Sequence, residues 1–342
     1  MSITKTVFGT LDGNDVFAYT MTNRNGALVT VLTYGGILNR LCLPDRDGRM
    51  ADVLCGFDAV EDYIADCASY SGALIGRYCN RIADGRFALN GKTYTLDKNE
   101  DGVTHLHGGV RGFHQKLWQA ETFEGEDEDR LVLSLLSPDG EEGYPGNLSV
   151  TVTYTFSSDS ALTILYEGVS DKDTVMNMTS HAYFNLNGYD GGSAMEQELL
   201  LRADRYDVVD DRLIPIGESR SVAGTAFDFR TLRPIAQPYD HNFILNGRAG
   251  ELREAAFLRD PQSGRTMTVY TDMPALQLYT ATGMCGKTPF KGGVPQRALH
   301  AVCLETQYSP NTPNRPDLPS CRLAAGETYR SMTRFVFGIA ES

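Results

Sequence analysis

The feature that most limits what this chain can fold into is a long succession of short runs in which apolar and polar residues alternate. NLSVTVTYTF places Leu148, Val150, Val152, Tyr154 and Phe156 two apart, and ALTILYEGV, RLVLSLLS, RTMTVYT and PALQLYTATG read in a similar way. A period of two sends successive side chains to opposite faces of an extended strand, so such runs form half-buried strands. Gly, Asn, Asp and Pro separate them, with Asn90-Gly91, Asp139-Gly140 and Pro145-Gly146 among the turns, several at hairpin spacing. Only DAVEDYIAD, around Ala59 to Ala65, reads as a short helix, and no strand is followed by a glycine-rich phosphate loop. The expected fold is all-β: a large antiparallel β-sandwich with minor short helices.

A length of 342 residues suggests two domains by itself, but β-sandwiches often run long as one unit. No linker, fixed-period repeat or composition break interrupts the chain, so one domain over residues 1–342 is expected. The formal net charge of -13 repels nucleic acid and anionic membranes and gives little attraction to a phosphorylated substrate, which favours a neutral ligand. No run approaches the ~18 apolar residues of a membrane span, and MSITKTVFGTLDG lacks the apolar core of a secretory signal. The seven cysteines are scattered, odd in number and without a CxxC pair, which suits a reducing cytoplasm. The acidic run from Glu124 to Arg130 reads as a solvated hairpin loop.

Two segments concentrate chemistry. Read as a strand, NMTSHAYFNL puts Met178, Ser180, Ala182, Phe184 and Leu186 on one face and Asn177, Thr179, His181, Tyr183 and Asn185 on the other. That polar row is either a solvated face or the wall of a polar cleft with His181 at its centre. HAVCLETQYSPNTPN repeats the arrangement: Val302, Leu304 and Tyr308 lie on one side, and Cys303, Glu305 and Gln307 on the other. A carboxylate inside a largely uncharged strand must be paired, hydrogen-bonded or used.

Four further motifs are individually weak. Asn80 and Arg81 in GRYCNRI follow Gly72 and Gly76; the guanidinium either braces a loop or binds a carboxylate or hydroxyl-rich ligand. HLHGG places His105 and His107 on one strand face beside two glycines. Such a pair invites a metal reading, but Val110, Arg111 and Gly112 follow where a carboxylate ligand is wanted, so no metal is expected. Asp240 and His241 in YDHNF fit an Asx-type turn, and Gln277 and Tyr279 in PALQLYT share one face of a strand.

Taken together, GRYCNRIADGRFALNGKTY, THLHGG, SPDGEEGYPG, NMTSHAYFNL, GTAFDFR, YDHNF, PALQLYT and ETQYSPNTPN occur in an order that resembles the aldose 1-epimerases, also called galactose mutarotases. The resemblance runs from about the first strand to VFG near residue 338. It implies a β-sandwich whose open cleft binds a free hexose and interconverts its α and β anomers. By matching motif, it makes His181 the general acid and Glu305 the general base. It places Asn80, Arg81, His107, Asp240 and Gln277 at sugar-binding positions, with His105 and His241 beside them. Cys79, Asn311, Thr312 and the stretch Ala281 to Gly283 depart from the usual pattern, which implies an altered cleft rim.

The implied reaction opens a hemiacetal and recloses it on the other carbonyl face, a task for one proton acceptor and one donor, with no cofactor. A carboxylate beside His181 is expected to favour its imidazolium form. The expected partner is a small-molecule sugar, with no nucleic acid or membrane, and the protein a monomer or homodimer. Three other readings stay open: a glycosidase, a hexose-phosphate relative, and a noncatalytic sugar-binding or regulatory module.

Overall fold

In the computed structural model, which describes residues 1–340, the alternating runs become three sizeable sheets, one of nine strands and two of five. All their ladders are antiparallel. In the nine-stranded sheet, Leu148–Ser157 pairs with Glu128–Ser137 on one side and Ala161–Ser170 on the other, and the latter pairs with Thr328–Ile339. Leu148, Val150, Val152, Tyr154 and Phe156 all face inward, as their spacing requires. They share one core with Val29, Val31 and Leu41 of the N-terminal five-stranded sheet and with Phe243, Leu276, Leu278 and Leu304 of the other. Each such side chain contributes about 1.5–3 kcal/mol when fully buried, so the alternation largely decides which sheet faces meet.

The hairpin at Asn90-Gly91 forms as its residues dictate. Arg86–Leu89 and Lys92–Thr95 pair with Leu89 opposite Lys92, leaving a two-residue turn with φ of 51° at Asn90 and 76° at Gly91. Positive φ at both positions matches the twist of the strands and favours Asn-Gly. Asn90→Ala is expected to cost about 1 kcal/mol, read as a lower urea midpoint at unchanged slope. The single predicted helix is Val60–Ala65. The acidic loop is shorter than its charge run suggests: only residues 124–127 connect Gln119–Phe123 to Glu128–Ser137, and Asp129 is buried within the second strand.

The second five-stranded sheet positions the chemistry. Its strands run in the order Pro215–Ser221, Ala203–Val209, Asp240–Leu245, Ala275–Tyr279 and Cys303–Gln307. Gln277 lies opposite both Asn242 and Glu305, so three neighbouring strands bring polar side chains to one place. NMTSHAYFNL runs beside this sheet but is not one strand. Only Thr179–Ser180 forms a ladder, with Leu74–Ile75, and Phe184 makes isolated bridges to Leu54 and Val302. Met178, Ala182, Phe184 and Leu186 enter the core as the alternation predicts, yet the opposite row is buried too. That row is the floor of a cleft and an internal hydrogen-bond network, with Asn185 donating to the carbonyls of Gly192 and His300.

Candidate active site

The cleft has a cavity volume of about 190 Å³ and brings together Asn80, Arg81, His107, His181, Asp240, Gln277 and Glu305. Drug-sized ligand sites span ~300–1,000 Å³, so this space selects something nearer a single sugar ring. At its floor, His181 Nε2 lies 3.8 Å from Glu305 Oε1, with both side chains almost fully buried. Glu305 Oε2 meets no hydrogen-bond partner within the protein. A buried carboxyl oxygen without a partner is costly, and the cost falls most heavily on the ionised form.

Around this pair the polar groups are held by the fold. Arg81 lays its guanidinium on Glu100, with Nε 2.9 Å from Oε2 and Nη2 2.8 Å from Oε1. Gln277 Nε2 donates to Asp240 Oδ1 at 2.6 Å. Behind it, Gln307 Nε2 donates to Asn242 Oδ1 at 3.0 Å, fixing the layer beneath the floor. His107 Nδ1 accepts the Asn80 backbone N–H at 3.2 Å, which leaves the ring hydrogen on Nε2. This contact depends on glycine: a Cβ on Gly108, whose φ is +83°, would lie 1.8 Å from the Gly76 carbonyl oxygen. The HGG turn can therefore close onto the segment that carries Asn80.

Burial dominates the electrostatics. It lowers the pKa of His181 to about 4 and raises that of Glu305 to about 8, the latter also pushed up by Asp240 and opposed by Arg81. The expectation that a neighbouring carboxylate favours the imidazolium therefore fails. Tyr70, Tyr183 and Tyr279 pack around the ring at centroid distances of 6.0, 4.9 and 6.1 Å, and desolvation outweighs the carboxyl group. Burial also holds His107 well below the usual imidazole range. Between about pH 4 and pH 8 the His181–Glu305 pair thus carries one proton, resting mainly on the carboxyl group.

The two histidines of HLHGG part company. The strand covers only His105–Leu106, and His107 turns to a φ of 51°, so they do not share a face. His105 points away from the cleft, with Nδ1 2.6 Å from the Asp97 carbonyl and Nε2 2.6 Å from the Tyr144 hydroxyl. His107 instead joins His181 and Glu305, each offering one donor atom, all within 4.8 Å of one another. A tetrahedral zinc ion wants its donors about 3.4 Å apart, closer than His181 and Glu305 stand. His241 also turns outward, its ring 4.7 Å from that of Phe227.

Sequence reasoning did not nominate Ala68, Ser69, Tyr70, Leu106 or Tyr279 as cleft residues, yet all line it, together with Tyr183 of the polar row and Thr282 and Gly283 of the expected rim. Tyr183 and Tyr279 stand two residues from His181 and Gln277, a same-face signal that was available. Tyr70 lies in a loop with a φ of 54° and gives no such signal. Of the departures from the family pattern, Thr282 and Gly283 reach the rim. Cys79 lies beneath the floor with Sγ 3.4 Å from Gln307 Oε1, and Asn311 supports the Arg81 backbone, donating N–H to its carbonyl at 2.7 Å.

The comparisons with known proteins point the same way. A family model described as aldose 1-epimerase matches residues 18–336. Galactose mutarotase of Sus scrofa is 38% identical over 351 residues, covering 99% of this chain and 100% of that protein. Aldose 1-epimerase of Escherichia coli K12 is 37% identical over 344 residues, covering 96% and 97%. The crystal structure of galactose 1-epimerase from Lactobacillus acidophilus superposes with a TM-score of 0.86 at 28% identity, covering 100% of both chains. With a matching all-β fold, a sugar-sized polar cleft and relatives this similar along nearly their whole length, the chain belongs to the aldose 1-epimerase family.

Proposed function

We propose that the protein interconverts the α and β anomers of free aldohexoses, galactose and glucose among them, with Glu305 and His181 moving the protons. The observation that carries this reading is the buried His181–Glu305 pair facing a small polar cleft at 3.8 Å. Glu305 takes the proton from the C1 hydroxyl, the C1–ring oxygen bond breaks, and His181 gives a proton to the ring oxygen. Rotation about C1–C2 exposes the other carbonyl face, and the reverse transfers close the ring. Electrons and protons balance at every stage without a redox step. Asn80, Arg81, His107, Asp240 and Gln277 hold the remaining hydroxyl groups, offering donors and acceptors together.

The productive arrangement, imidazolium beside carboxylate, has the same proton count as the resting pair and differs only in which partner holds the proton. This predicts a bell-shaped kcat/KM. As pH rises through about 8 the pair loses its one proton, and as it falls through about 4 the pair gains a second, so activity declines on both sides. Initial rates across pH 3.5 to 9.5, corrected for the spontaneous reaction, check this; a profile with a single limb near the free-histidine pKa of ~6.5 would contradict it.

Among the described residues, Arg81 is the one lysine or arginine lining the cleft, and Glu100 already neutralises it. This favours a free sugar over a hexose phosphate. A cytoplasmic setting and a monomeric or homodimeric state belong to the same proposal; seven free thiols suit a reducing compartment. Polarimetry of freshly dissolved α-D-galactose tests the reading. Faster equilibration to an unchanged endpoint supports it, while sugar binding without acceleration would point to a noncatalytic module.

A further inference from the structure

The strand that carries Glu305 also touches the other side of His181. In Cys303–Gln307, alternation puts Cys303, Glu305 and Gln307 on one face. Cys303 Sγ lies 3.5 Å from His181 Nδ1, and His181 Nε2 lies 3.8 Å from Glu305 Oε1. The imidazole thus lies along one strand face, with a thiol at one nitrogen and a carboxyl group at the other. The His181 backbone is pinned through Ala73 and Gly72, which fixes the chain but not the ring. Tyr70, His107, Tyr183 and Tyr279 surround the ring with aromatic contacts. Among the described residues, Cys303 supplies the one side-chain hydrogen bond to Nδ1.

We propose that Cys303 is a positioning residue that holds the His181 ring, and keeps its Nε2 directed at Glu305, in both protonation states of the reaction. The inference rests on the acid/base reading above. A thiol is both a weak donor and a weak acceptor. When Nε2 gives up its proton, the neutral imidazole keeps its hydrogen on Nδ1, which donates to the Cys303 sulfur and leaves Nε2, the nitrogen facing Glu305, bare and able to take a proton back. In the imidazolium the same Nδ1–H to sulfur bond persists, and Nε2 carries the proton that moves. The thiol itself stays protonated, because burial and the neighbouring Glu305 hold its pKa well above the usual thiol range. A carboxylate in this place would accept only and would stabilise the imidazolium, opposing return of the proton when the roles reverse. A weak, uncharged acceptor suits a reaction whose acid and base exchange duties on every turnover, because it holds the ring without favouring either state strongly.

The test pairs two variants with a spectroscopic readout. Nitrogen-15 NMR of ring-labelled wild-type protein is expected to give the His181 tautomer protonated at Nδ1; the tautomer protonated at Nε2 would overturn the proposal even if no variant folds. Cys303→Ala is expected to lower kcat about tenfold, the scale of one weak hydrogen bond, with KM unchanged and the NMR signature shifted toward mixed tautomers. Cys303→Ser restores a donor and acceptor and is expected to keep kcat within about threefold of wild type. Packing alone predicts the opposite order, because a buried hydroxyl is less at home than a methyl group. An alanine variant as active as the serine variant, or with the wild-type NMR signature, would therefore sink the inference. Failure of the underlying reading would look different: His181→Asn would retain its rate whatever Cys303 does.

Discussion

Glu305→Gln is expected to slow galactose mutarotation about 10³-fold, inside the ~10²–10⁴ range that a positioned acid or base supplies. Glutamine matches the volume of glutamate, so the buried strand keeps its packing and the loss should fall on kcat with little change in KM. An amide cannot take the C1 proton, and it leaves His181 without a partner for proton exchange. Removing a buried ionisable carboxyl group should also erase the alkaline limb of the pH profile near 8, since that limb belongs to Glu305. Thermal stability near neutral pH should hold or rise, because burial raises the Glu305 pKa to about 8 and the fold no longer bears the cost of keeping that carboxyl group protonated above its ordinary range. Stopped polarimetry with saturating galactose gives kcat directly. A loss smaller than about tenfold would move proton abstraction to another group in the cleft, with Asp240 and His107 the first to examine.

How far the site could be read from the sequence depends on how local its geometry is. The strand bearing Glu305 was legible because a period of two decides its faces: Leu304 enters the core, and Cys303, Glu305 and Gln307 turn to the opposite side. The Asn90-Gly91 turn was legible for the same reason, two residues with a strong conformational preference. HLHGG misled because one left-handed residue, His107, reverses the direction a strand would give its side chain. NMTSHAYFNL gave the right parity but the wrong environment. Its polar row is buried by Tyr70, Tyr279 and the strand around Glu305, none of them near it in sequence. That same long-range burial sets the protonation of His181, so no reading of its immediate neighbours could have found it.

His181→Asn supplies the complementary result, an expected loss of about 10³-fold in kcat. Asparagine fills part of the ring's space and keeps a hydrogen-bond donor, but it has no proton to release to the ring oxygen. The informative measurement is the double variant with Glu305→Gln. Proton removal at C1–OH and proton delivery to the ring oxygen are two halves of one bond-breaking event, and 3.8 Å between the groups lets a single proton serve both. Once either group is lost, water must replace the missing half, and the surviving group has little left to assist. The double variant should therefore be no more than about tenfold slower than the worse single variant, rather than the ~10⁶-fold that independent contributions would give. Additive losses would mean that each group acts in its own rate-limiting step, with solvent supplying the other proton. The near equality of the double and single variants would instead mark His181 and Glu305 as one catalytic unit.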